Sequence, residues 1–144
     1  MLGRSKDLYL HTMNLFSEIV VAASCLYLIG LAGVIFVKPA VAQRFIVSFA
    51  SSARAHYIEM FFRLPFGASL VLLSRTMWQA KLFLILGWAI VISSLVLLLL
   101  PWQWHHRFGT RVLPILVRYM WLYALGTLAF GALLLYGTFS TNFH

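Results

Sequence analysis

The sequence predicts an all-α membrane protein in which four transmembrane helices form a bundle, with one or two short interfacial helices. Two observations support this prediction. The 144 residues are 62% hydrophobic and only 10% charged, with a mean hydropathy of +0.92, whereas soluble domains are about 45–50% apolar and about 25% charged. The chain also contains four apolar runs close to the roughly 20 helical residues that cross about 30 Å of hydrocarbon.

The four apolar runs are interpreted as the spans of one transmembrane domain, residues 1–144. They cover about residues 15–37, 56–74, 82–100 and 119–139. Their apolar residues are continuous rather than alternating, which favours helices over the strands of an outer-membrane barrel. The first run is too long for a signal-peptide core and has no clear cleavage site, so we expect it to be retained.

Each span has features typical of membrane helices. Trp78 precedes the third run, and Trp102 and Trp104 follow it, as expected for aromatic rings at headgroup depth. Small residues within the runs are expected where helices approach one another closely. Those residues are Gly30, Gly33, Gly87, Ser93, Ser94, Gly126 and Gly131.

Two of the connections are longer than turns. After the first span, Val41, Phe45 and Phe49 recur every four residues while Arg44 and several serines share another face. This pattern predicts a short helix lying in the interface; the alternative is an amphipathic start to the second span. After the third span, Arg107 and Arg111 are one turn apart, and Pro114 suits the first turn of the next helix.

The charge balance is strongly basic, with 11 Lys and Arg against 3 Asp and Glu, a net charge of +8. No nucleic-acid-binding motif accompanies it, so the lipid bilayer is the expected partner and no nucleic acid is expected. We predict that Arg44, Arg107, Arg111 and Arg118 contact lipid headgroups. The connections that contain these arginines are the more basic, which places them in the cytoplasm and both termini in the periplasm of a bacterial inner membrane.

Three acidic or basic residues within the runs are candidates for a ligand site or for ion pairs. Glu59 and Arg63 lie four residues apart on one helix, so their side chains can meet. Within an apolar span this pair is either a structural ion pair or a site for a polar ligand, a lipid phosphate or a proton. Glu18, early in the first span, is expected near the opposite membrane face. There it either reaches headgroup water, relays a proton or contacts a partner subunit.

The histidines provide a weaker signal. The topology brings His56, His105 and His106 to the same side as Glu59, and imidazole and carboxylate together suit zinc, iron or copper. Histidines that touch headgroups or water are the alternative interpretation. The sequence contains no nucleophile, phosphate-loop or zinc-protease motif, so we assign no catalytic residue and expect no cofactor.

The stretch from Ser52 to Phe108 resembles uncharacterised small four-helix inner-membrane proteins of proteobacteria, with a fainter similarity to the DoxX-like group. The resemblance covers less than half of the chain. It implies a four-helix membrane bundle and no particular activity. The residues that carry it are Arg54-Ala55-His56, Glu59, Arg63, Gly87-Trp88 and Pro101-Trp102 with His105.

These observations lead to three hypotheses about function. The first is a non-catalytic accessory or assembly subunit of a larger membrane complex, because the extramembrane loops are small, no cofactor motif is present and nearly every span has a lipid-facing surface. The second is a small transporter, channel or lipid- or ligand-binding bundle built around Glu59 and Arg63. The third is a redox or metal enzyme that uses the interfacial histidines.

Overall fold

The computed structural model describes residues 2–49 and 52–140, and within them the side chains of all but residues 2–6, 49, 102, 105 and 139. Over these ranges the chain is helical and has no strand. The helices are α1 (Leu2–Val37), α2 (Pro39–Phe49), α3 (Ala53–Leu73), α4 (Ala80–Leu99), α5 (Trp102–Arg118) and α6 (Met120–Phe139), with a 3₁₀ turn at Ser74–Thr76. The all-α prediction is confirmed.

Four of these helices, α1, α3, α4 and α6, are long and apolar enough to cross a membrane. The protein is therefore a multi-pass membrane protein. The other two helices, α2 and α5, are the predicted interfacial helices. Both lie at the end of the bundle where α1 and α4 end and where α3 and α6 begin, which we call the α2/α5 side.

Helix α1 is much longer than its predicted span. It begins at Leu2 rather than near residue 15, and its 36 residues measure about 54 Å, against about 30 Å for the 20 residues of α4 or α6. Among the side chains of α1 that the structure describes, which begin at residue 7, the first buried one is that of Ser17. Residues 7–16, which we call the α1 extension, therefore project beyond the bundle on the side opposite α2 and α5.

The packing order of the spans is α6–α1–α3–α4, because α1 packs against both α6 and α3, and α3 packs against α4. The central core joins all four helices. It contains Val21 and Cys25 of α1, Leu70 of α3, Phe83 of α4 and Leu134 of α6. A second cluster nearer the α2/α5 side includes Ala42, which anchors α2 to the bundle.

The boundaries between helices follow local features of the sequence, with one exception. Ser52 has an extended backbone, and its side chain accepts a hydrogen bond from the Ala55 N–H, which separates α3 from α2. The Leu100–Pro101 step separates α4 from α5. Pro114, expected in the first turn of the fourth span, instead lies inside α5.

Helices α3 and α4 approach each other closely at two glycines, Gly67 of α3 and Gly87 of α4. A Cβ atom on Gly87 would lie 2.9 Å from the Val71 backbone nitrogen and 3.0 Å from the Gly67 carbonyl oxygen. These helices therefore meet backbone to backbone. Gly131 has a similar role against α1, whereas a Cβ on Gly30, Gly33 or Gly126 would have nothing within 4 Å. The expectation of close packing was thus wrong for these last three glycines.

Candidate functional site

Glu59 and Arg63 form an ion pair that also ties two helices together. The Arg63 Nη1 donates to Glu59 Oε1 at 3.1 Å, and the Arg63 Nη2 donates to Ser93 Oγ on α4 at 3.2 Å. The Ser93 hydroxyl in turn donates to the Ile90 carbonyl at 3.0 Å. Arg63 therefore bridges α3 and α4, and its side chain remains 34% exposed and that of Glu59 26% exposed.

Glu59, Arg63 and Ser93 form a polar cluster between α3 and α4. Because a guanidinium has five N–H groups, the contacts to Glu59 and Ser93 leave the Arg63 side chain capacity for an anionic ligand. The polar cluster can thus hold an anion at Arg63.

His56 occupies a structural position at the end of α4. Its side chain is 1% exposed, and its Nε2 lies 3.1 Å from the Leu97 carbonyl oxygen. A carbonyl only accepts, so Nε2 is the donor. The last carbonyls of a helix lack intrahelical partners, and Pro101 has no N–H to offer. His56 on α3 therefore donates a hydrogen bond to a carbonyl group of α4 that has no partner within its own helix.

We expect that removing this donor destabilises the α3–α4 contact. His56→Leu should lower the free energy of unfolding by about 1–3 kcal/mol, since it leaves the Leu97 carbonyl unsatisfied in a nonaqueous setting. His56→Gln keeps an N–H donor and should lose less than half as much. Thermal unfolding of the purified protein in mild detergent measures both. If the two variants lost equal stability, the hydrogen bond to the Leu97 carbonyl would not contribute to the free energy of unfolding.

The other histidines do not complete a metal centre among the described side chains. His106 lies on α5 and is partly buried, whereas the side chain of His105 is outside the described residues. Within the described part of the chain, no three His, Cys, Asp or Glu side chains are close enough together to hold a metal ion.

Glu18 lies on α1, whereas the polar cluster lies on α3 and α4. It is exposed and comes two residues after the end of the α1 extension.

The four arginines predicted to contact headgroups all lie on the α2/α5 side and are all exposed. They are Arg44, Arg107, Arg111 and Arg118. The Arg118 guanidinium carbon is 5.7 Å from the centre of the Tyr119 ring, a cation–π distance.

A groove of about 500 Å³ lies between α5 and α6. Its lining is almost entirely apolar and includes Val112, Leu116, Leu122 and Phe130. Tyr119 and Tyr123 also line the groove. The groove was not predicted from the sequence, because it depends on how α5 packs against α6.

The chain was compared with protein-family models, curated proteins and solved structures. None of them matches it. The resemblance to small proteobacterial inner-membrane proteins therefore stays a prediction, and the functional conclusions depend on the geometry of this chain.

Proposed function

We propose that the protein is a non-catalytic accessory or assembly subunit of a larger membrane complex. The observation that carries the proposal is the α1 extension. The extension leaves large apolar side chains uncovered beyond the end of the bundle, and such a surface is typical of a protein–protein contact. Leu8, Tyr9 and Leu10 are each more than 60% exposed there, and Phe16 is 56% exposed.

The length of α1 supports a position of this surface outside the hydrocarbon. The apolar segment of α1 has 31 residues, or about 46 Å, and the hydrocarbon is about 30 Å thick. Counting about 20 residues back from Val37 reaches Glu18. Lipid tails therefore do not cover Leu8, Tyr9 and Leu10, and a second membrane protein subunit is the partner that we propose. The exposed Glu18 carboxylate beneath them offers this partner a charge to pair with.

The location and orientation belong to the same proposal. Exposed Lys38, Arg44, Arg54, Arg107, Arg111 and Arg118 lie on the α2/α5 side. Basic connections remain cytoplasmic in the inner membrane of bacteria. We therefore propose that this side faces the cytoplasm, that both termini are periplasmic and that the partner is met on the periplasmic side.

The α1 extension gives the proposal a direct test. Leu8→Gln combined with Tyr9→Gln should lower recovery of the partner in native purification by about tenfold or more, as expected when two central contact residues are lost. Phe108→Gln is the matched control, because Phe108 is 65% exposed but lies on the opposite side. Both variants should melt like the wild type. Undiminished recovery with the extension variant would contradict the proposed interface.

A ligand- or ion-handling bundle built around Glu59 and Arg63 is the second candidate. It is favoured by the partial exposure of both charges within a span. The double substitution considered in the Discussion separates this candidate from a structural ion pair.

A further inference from the structure

The groove between α5 and α6 has the shape of a site for an extended apolar chain. It runs along α6 from Leu122 to Phe130, eight residues or about 12 Å, beneath the inner face of α5. Val112 and Leu116 of α5 form the opposite wall. Gly126 lies in the wall of α6, and a Cβ atom there would meet no heavy atom within 4 Å. The groove is thus open at its middle.

Two arginines border the α5 wall of the groove, because Arg111 immediately precedes Val112 and Arg118 immediately precedes Tyr119, about 10 Å apart along the helix. Arg111 lies one turn before Ile115, and Arg118 lies three residues after it, so all three share one stripe of α5. Ile115 lines the groove, as does Tyr119, whose ring lies under the Arg118 guanidinium. Neither α5 nor α6 contains an acidic residue. An apolar groove is therefore joined to a purely cationic rim.

We infer that this groove binds one anionic phospholipid, with an acyl chain between α5 and α6 and its phosphate held by Arg111 and Arg118. The positive charges of the two arginines favour an occupant with an anionic headgroup. Guanidinium groups bind phosphate oxygens in pairs of hydrogen bonds, and arginines at headgroup depth attract anionic lipids. A hydrophobic helix of a partner protein would fill the groove but would leave two exposed arginines without an anion. The site is independent of the partner proposed at the α1 extension.

The test is a lipid titration of the purified full-length protein followed by native mass spectrometry. Phosphatidylglycerol and phosphatidylcholine with the same acyl chains are the two probes. The wild type should bind phosphatidylglycerol about 25-fold more tightly, since each arginine near the membrane surface contributes about fivefold. Equal binding of the two lipids would overturn the assignment of an anionic headgroup.

Two variants separate the headgroup from the acyl chain. Arg111→Gln with Arg118→Gln should weaken phosphatidylglycerol binding about 25-fold and remove the preference for it, whereas Arg44→Gln on α2 should not. Gly126→Leu fills the groove and should weaken binding of both lipids about tenfold, since small changes in an apolar site have effects of this size. Gly30→Leu is its control, because Gly30 also has open space around it but lies on α1.

Each outcome decides the inference. Loss of preference with the arginine pair, together with loss of binding with Gly126→Leu, supports one lipid in this groove. Wild-type binding by Gly126→Leu would overturn the groove as the acyl site, even if the arginines attract lipid. Because the arginines are exposed, their double variant should melt like the wild type, so a folding defect in Gly126→Leu would leave the headgroup test intact.

Discussion

Replacing Gly87 with leucine is expected to separate α3 from α4 and to lower the free energy of unfolding by about 3 kcal/mol. The reason is that two of the three atoms nearest to an added Cβ belong to the opposing backbone. A Cβ alone would lie 2.9 Å from the Val71 nitrogen and 2.8 Å from the Val71 Cγ2. A backbone nitrogen cannot move aside by rotation of a side chain, so the whole helix must shift. Even Gly87→Ala should therefore be destabilising.

Gly30 provides the matched control. It lies mid-helix in a span like Gly87, but its added Cβ would have no neighbour within 4 Å. Gly30→Leu and Gly30→Ala should leave stability unchanged or slightly raised, because glycine is the poorer helix former. Chemical unfolding in mild detergent measures all four variants. If the Gly87 and Gly30 variants lost equal stability, close contact at Gly87 would not be the cause.

Breaking the ion pair is expected to have the second-largest effect. Arg63→Leu leaves the Glu59 carboxylate within a span without its cation and removes the link to Ser93. Fully buried pairs lose about 3–5 kcal/mol when one partner is removed. Since Glu59 is 26% exposed and reaches some water, we expect a loss of about 2 kcal/mol.

The double variant Glu59→Leu with Arg63→Leu distinguishes a structural ion pair from a ligand site. Removing both charges together should recover most of the lost stability, because no unpaired charge then remains in the span. If the pair is structural, cells that carry the double variant should behave like the wild type. A stable double variant that fails to support growth under conditions requiring the wild-type protein would instead favour the ligand-handling candidate. A double variant as unstable as Arg63→Leu would contradict the expected coupling.

Hydropathy predicted the four spans because a helix that crosses a membrane must be long and apolar. This requirement does not depend on which residues its side chains contact. Hydropathy did not predict where α1 begins. Asp7, His11 and Asn14 interrupt the apolar run, but they do not stop a helix, since neither proline nor glycine interrupts residues 4–29. The sequence pattern therefore predicted where the uninterrupted apolar run of α1 begins rather than where its helix begins. The α1 extension, which carries the proposed function, lies in that difference.

The candidate site was predictable from the sequence only where its contacts join residues of the same helix. Glu59 and Arg63 are neighbours on one helix, so their spacing alone predicts their contact. Ser93 joins them because the Gly67–Gly87 contact fixes how α3 crosses α4, and no single-sequence pattern reports such a crossing. His56 was even less predictable, because its partner is a backbone carbonyl and carries no residue signature.

Purification of the wild-type protein from native membranes in mild detergent, followed by mass measurement of the intact particle, tests the proposed function most directly. We predict a particle that contains this chain and a second, different membrane protein in fixed proportion, with cross-links from the α1 extension to that protein. A particle made of this chain alone, as a monomer or as a homo-oligomer, would contradict the proposal of an accessory subunit.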